Sequence, residues 1–140
     1  MKTTRVVLDT NVVVSAHLKS EGYERHVLDL VLAGKLQLAV TEAILGEYAD
    51  VLSRSKFGIG AKQVARSMRL IRVAARIVRP QHELKVTPYP ADDRFLECAD
   101  VARADYLVTG NKRHFPKSWR QTLIVNAREL LEWIAPDLRR

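Results

Sequence analysis

The chain has 140 residues, with 23 Lys and Arg against 16 Asp and Glu for a net charge of +7; at about 100 to 200 residues per domain, a single domain over residues 1–140 is expected. Hydrophobic residues make up 47% and charged residues 28%, which excludes a disordered chain, and the lone cysteine, Cys98, excludes an internal disulfide framework. The first apolar run breaks at Asp9, too short for a signal peptide, and no run reaches membrane-spanning length, so a cytoplasmic protein with no membrane association is expected.

Apolar runs alternate with stretches of helical period, the sequence form of βαβ units. Arg5-Val-Val-Leu8 reads as a strand buried on both faces, stopped by Asp9. Helices are expected near Asn11 to Leu18 and Tyr23 to Ala33, the second closed by Gly34. Leu36 to Val40 is a second strand, and Thr41 caps a helix through about Ser53, with Ile44, Leu45, Tyr48, Val51 and Leu52 at helical spacing. Phe57-Gly-Ile-Gly60 breaks the chain before a long amphipathic helix expected over Ala61 to Val78 and ended by Pro80. Thr87-Pro-Tyr-Pro-Ala91 leads to Asp92 and Asp93, which open a helix to about Arg103. Tyr106 to Thr109 and Thr122 to Val125 are further strands, and Asn126 with Glu129 makes a capping box for a terminal helix. The expected fold is a mostly parallel sheet of four to five strands between helical layers, with a helical pair at about 41–79 inserted after the second strand.

The charge is unevenly spread. No acid lies between Asp50 and Glu83, where Arg54, Lys56, Lys62, Arg66, Arg69, Arg72, Arg76 and Arg79 all fall. The remainder is close to neutral, so any acidic site must be built there, and the basic stretch suits a polyanionic partner.

Ligands of open α/β sheets bind beyond the carboxyl ends of the strands. That draws attention to Asp9, Thr10 and Asn11 after the first strand, and to Gly110, Asn111 and Lys112 after Tyr106 to Thr109. Asp93 opens a helix, and Glu47 shares a face with Ile44 and Val51, where a carboxylate is costly unless paired or bound to a metal. Each has a plainer reading: Asp9 and Asp92 as helix caps, Glu47 as a flank residue, and Asp93, Glu97 and Asp100 as a solvated helical stripe. Together the acids fit one chemistry. Hard divalent cations take oxygen ligands and commonly bind through one or two carboxylates plus substrate phosphates, and acids from separate elements in a basic chain suit metal-assisted cleavage of a phosphodiester.

Leu8-Asp9-Thr10-Asn11-Val12, Glu47 within Ile44 to Tyr48, Asp92 to Ala99, and Ala104 to Lys112 closely resemble the PIN-domain nucleases, nearest to the toxin components of bacterial toxin-antitoxin pairs. The resemblance spans residues 5 to about 125. It implies a three-layer α/β/α PIN-like fold, Mg²⁺- or Mn²⁺-dependent ribonuclease activity on RNA, a homodimer, and a cognate antitoxin as partner. It carries the catalytic, metal-binding acids onto Asp9, Glu47 and Asp93, with Asn11 and Thr109 orienting them. Asn111 departs from the pattern by standing where a fourth Asp is usual; its amide oxygen coordinates a cation more weakly, and Glu97, one turn beyond Asp93, is a candidate to compensate. Lys112, Arg113 and His114 are candidate phosphate contacts, and Arg66, Arg69 and Arg76 candidate contacts to RNA or antitoxin. Asn111 also leaves open a second reading, a catalytically weak RNA- or antitoxin-binding module. Trp119 and Trp133 read as core or interface anchors, and Cys98 as a small buried apolar residue. No dinucleotide fingerprint, phosphate-binding loop, serine elbow or zinc cluster is present.

Overall fold

A computed structural model describes residues 2–138 of the chain, and side chains through residue 136. The elements run β1 (Arg5–Leu8), α1 (Thr10–Leu18), α2 (Tyr23–Leu32), β2 (Gln37–Val40), α3 (Glu42–Leu52), α4 (Ala61–Ala74), β3 (Arg76–Ile77), α5 (Pro90–Ala102), β4 (Tyr106–Val108), β5 (Ser118–Trp119), β6 (Thr122–Val125) and α6 (Ala127–Leu138), with 3-10 turns at Ser55–Phe57 and Lys112–His114. The strands form one sheet in the order β3-β2-β1-β4-β6-β5, parallel except for the β5–β6 hairpin. Helix α5 packs across β1, β2 and β4, while α6 meets β4 and the remaining helices pack on one another and on α6. The result is a three-layer α/β/α sandwich.

Local chemistry explains most boundaries. Val6, Val7, Leu8, Leu38, Val40, Leu107 and Val108 are inaccessible to solvent, as parallel strands covered on both faces must be. Gly34 takes a left-handed conformation (φ 77°) behind α2, where a residue with a Cβ is disfavoured. The Thr41 hydroxyl accepts the Ile44 N–H at 3.0 Å to start α3. At α6 the side chains of Asn126 and Glu129 each accept the other's backbone N–H, at 2.8 and 2.9 Å, a closed capping box.

Three boundaries differ from the sequence reading. The basic helix ends at Ala74, not Val78: Ala75 is extended, Arg76–Ile77 pair with Ala39–Val40 as an edge strand, and the Val78 N–H donates to the Val40 carbonyl at 2.8 Å. The β-branched pair Ile77-Val78 ahead of Pro80 favours an extended chain over a last helical turn. Arg76 therefore lies on β3, off the face that carries Arg66 and Arg69 on α4. With the two-residue hairpin strand β5, this edge strand brings the sheet to six strands where four to five were expected. Finally, α5 begins at Pro90 behind Tyr89, so Asp92 lies inside the first turn and does not cap it.

The path of the chain creates the site. From β1 it moves outward to β2 and β3, then returns across the sheet through α5 to β4 on the other side of β1. The β1–β4 boundary is thus where strand order reverses, the place where open sheets leave a crevice.

Candidate active site

Asp9 and Thr109 close the switch point. The ladder continues one residue past the strands: Asp9 donates its N–H to the Val108 carbonyl and Thr109 to that of Val125, both at 2.9 Å. Asp9 occupies the N-cap position of α1, yet its side chain makes no capping bond. Its carboxylate instead accepts from the Thr109 hydroxyl at 2.7 Å and from the Asn11 amide at 3.4 Å. The Thr109 hydroxyl in turn accepts the Asn111 N–H at 2.9 Å, which leaves its proton for Asp9. Asn11 is anchored through its amide oxygen, which accepts the Gly110 N–H at 3.0 Å. Both residues expected to orient the acids thus contact Asp9. Beside them a cavity of about 270 Å³ is lined by Asn11, Ser15, Glu24, Thr109, Gly110 and Asn126.

Glu47 reaches the same end of the sheet from α3. Its neighbour Tyr48 is fully buried and donates its hydroxyl to the Leu8 carbonyl at 2.5 Å, which fixes α3 against the end of β1. Burial, then the charges of Cys98, Asp9 and Glu47, raise the Tyr48 pKa well above its usual value, so the phenol stays a neutral donor. Thr10 then hydrogen-bonds the Glu47 carboxylate with its hydroxyl. Neither the Tyr48 anchor nor the Thr10 contact was anticipated from the sequence. The only hint was that a tyrosine of an apolar stripe needs a partner for its hydroxyl when buried.

Asp92 and Asp93 divide the work of the acidic pair. Asp93, 2% exposed, accepts the N–H groups of Val86 and Thr87 at 3.2 and 2.8 Å and so ties down the loop before α5. Glu97, 7% exposed, accepts the Leu84 N–H at 2.7 Å and pairs with Arg94 at 2.6 Å. The plainer expectation of a solvated stripe does not hold for these two: the loop at 84–87 covers them and uses their oxygens to satisfy its backbone. Asp92 pairs with His114 at 3.0 Å, and the His114 ring stacks on Tyr89 at 4.3 Å between centroids.

Electrostatics link the strand-end acids. The Asp9 pKa is raised, first by burial, against the lowering effect of the Thr109 hydrogen bond, and further by the nearby charges of Asp92 and Glu47. Asp92 and Glu47 therefore each sit within electrostatic reach of Asp9. Among the described residues no group of three or more His, Cys, Asp and Glu is close enough to hold a metal ion directly. The donors are nonetheless hard oxygens, and a hydrated divalent cation bound through one or two carboxylates fits such a set. Asn111, after β4, is tied to this set through its backbone N–H on the Thr109 hydroxyl. Buried Cys98 is not a nucleophile, since burial pushes its thiol up to about 12.

The basic candidates fall in two places. Lys112 pairs with Glu129 at 2.8 Å, while Arg113 is exposed. Arg66 and Arg69 are exposed on α4 and Arg76 on β3, and none forms an ion pair with a described residue. Arg72, by contrast, is held bidentate by Glu42 at 2.8 and 3.0 Å.

The family model for the PIN domain matches residues 5–113, most of the chain and every segment that carries an acid of the strand-end site. The chain belongs to the PIN-domain family. A search of curated proteins returns no match. PIN domains are generally nucleases and typically use divalent metals, which agrees with acids gathered at the switch point of this sheet. No described helix of this PIN domain is long and apolar enough to cross a membrane.

Proposed function

We infer that this PIN domain is a divalent-metal-dependent endoribonuclease whose metal-facing carboxylates are Asp9, Glu47 and Asp92. One observation carries the reading: at the switch point the buried Asp9 carboxylate is held by Thr109 and Asn11 rather than by the α1 cap, and the charges of Asp92 and Glu47, from two other segments, act on it. Carboxylates held in mutual repulsion cost stability and are expected where a cation relieves it. This reading puts Asp92 in the third place ahead of Asp93, whose charge is not among those acting on Asp9 and whose Oδ1 accepts the Val86 and Thr87 N–H groups, with Oδ2 left over. Glu97 accepts the Leu84 N–H and Arg94 on one oxygen, Oε2, and with its charge paired to Arg94 is not assigned to the metal.

A bound Mg²⁺ or Mn²⁺ would supply Lewis acidity and lower the pKa of a coordinated water. The chain's own residues do the rest. Thr109 and Asn11 keep the Asp9 carboxylate turned away from the α1 cap and toward the crevice, and Thr10 and Tyr48 do the same for the Glu47 helix. His114 holds Asp92 in place. Arg66, Arg69 and Arg76, clear of the carboxylates in sequence, attract the RNA backbone that the acidic pocket alone would repel.

The decisive assay is cleavage of single-stranded RNA with Mn²⁺ or Mg²⁺, in the presence and absence of a chelator and beside Asp9→Ala. Cleavage that depends on both the metal and Asp9 is expected; equal cutting with chelator or by the variant overturns the assignment. Asn111 motivates a second reading, a weakly metallated binding module. Asn111→Asp adds a ligand charge and should tighten Mn²⁺ binding severalfold and raise the rate; unchanged affinity and rate would show that Asn111 is not limiting.

The toxin role, with a small cognate antitoxin, a homodimer and a cytoplasmic setting, belongs to the same proposal. It is supported by the motif resemblance and by the acid-free stretch between Asp50 and Glu83, which suits an acidic partner tail. A small reading frame beside the gene whose product co-purifies with the chain and inhibits cleavage is the expected result.

A further inference from the structure

A second concavity begins where the acidic crevice ends. The turn at Lys112–His114 follows Asn111 directly, and behind it lies a groove of about 470 Å³ between this turn, β6 and α6. Its apolar surface includes Leu123 and Trp133, which are 43% and 50% exposed, and its rim carries Lys112, Arg113 and Lys117. The one acid of the lining, Glu129, is already engaged by Lys112 and by the Asn126 N–H. Arg113 and Lys117 are exposed and form no ion pair with a described residue. Tyr106 meets the Trp133 ring at 6.0 Å between centroids, tilted by 52°, and steadies the indole while half of its surface remains open.

An open indole beside uncompensated cations is complementary to a ligand that presents a flat π surface and a negative charge together. A nucleotide of single-stranded nucleic acid does so: its base stacks on an aromatic ring and its phosphate meets Lys or Arg. A duplex does not, because its bases are stacked on each other and only its backbone is available. The volume is within the range of small-ligand sites.

We propose that the groove lined by Trp133, Leu123, Arg113 and Lys117 is a binding subsite for single-stranded RNA, a base resting on the Trp133 indole and neighbouring phosphates on Arg113 and Lys117. The proposal rests on the ribonuclease reading, since the groove continues from the loop that carries Asn111, and it adds to that reading a preference for unpaired over paired RNA.

Binding of a labelled oligouridine and of a duplex of equal length is measured in EDTA, where no cleavage occurs. Trp133→Ala should weaken oligouridine binding about tenfold and leave duplex binding unchanged, with Trp133→Phe restoring most of the loss. Lys117→Ala should weaken binding and flatten its salt dependence by roughly one counterion. Oligouridine should also quench indole emission in Trp119→Phe, where Trp133 is the emitter. Equal oligouridine affinity in Trp133→Ala and the parent overturns the subsite, as does self-association of the parent that Trp133→Ala abolishes, which would mean that a second copy covers the groove. Loss of the stacking contribution in a protein that shows no metal-dependent cleavage supports the subsite while counting against the ribonuclease reading.

Discussion

The end of β1 and the face of α4 present opposite charges by opposite means. At β1 the acids are few, buried or half-buried, and tied by hydrogen bonds: Asp9 to Thr109 and Asn11, Glu47 to Thr10, Asp92 to His114. On α4 the charges are many and exposed, and Arg66 and Arg69 have no ion-pair partner among the described residues. Charge in low dielectric acts strongly over short range, whereas exposed charge is screened within about 10 Å at ordinary salt and acts through the sum of many groups. The first arrangement suits chemistry at one atom and the second suits attraction of a polymer, so the two regions should respond differently to mutation, salt and pH.

The largest effect is expected at Asp9. Asp9→Asn should lower metal-dependent RNA cleavage by about 10³-fold, equivalent to the several kcal/mol that a bound cation supplies. The same variant should be more heat-stable than the parent in metal-free buffer at neutral pH. The folded pKa of Asp9 is raised above its ordinary 3.8 by burial first, so this group favours the fold while protonated and loses that contribution as pH rises through the folded value. The stability gap between Asp9→Asn and the parent should therefore narrow as the pH is lowered toward 3.8, read by thermal melts across pH. A variant no more stable than the parent at neutral pH would remove the strain ascribed to this carboxylate.

The adjacent acids of α5 should separate cleanly. Asp92→Asn should depress cleavage nearly as much as Asp9→Asn with little change in urea midpoint. Asp93→Ala should cost about 3 kcal/mol of stability, because two backbone N–H groups lose their acceptor, as read from urea denaturation. The reverse pattern, with Asp93 needed for chemistry and Asp92 for the fold, would return the third acid to Asp93.

The smallest and most salt-sensitive effect belongs to α4. Replacing Arg66 and Arg69 together by Ala should weaken RNA binding severalfold at low salt, lower the slope of log affinity against log salt by roughly 1.4 for single strands, and leave the maximal rate unchanged. An unchanged slope would show that this face does not touch the backbone.

Much of this is legible in the sequence. Asp9 stands out because a strand buried on both faces stops at a charged residue, Thr109 enters through the family motif, and the capping signals at Thr41 and Asn126 are local and are met in the structure. The roles within the Asp92-Asp93 pair were not legible. Neighbouring helical residues point about 100° apart, so only the position of α5 over β1 and β4 decides that the 84–87 loop lies on Asp93 and not on Asp92. Glu97 illustrates the same limit: its i, i+4 spacing from Asp93 reads as a solvated stripe until a distant loop is laid over it.

Sequence alone determined the order of the helices and of the four strands β1, β2, β4 and β6, the family motifs and the segregation of basic from acidic segments, because these depend on local propensity, periodicity and position along the chain. Tertiary structure alone decided that Ile77 pairs with Val40 as an edge strand, that Tyr48 anchors the Glu47 helix to Leu8, and that Trp133 is left half-open beside cations that pair with no described residue. Each of these depends on what a side chain or backbone group meets across the sheet, and contacts between residues far apart in sequence form only when the strand order is set.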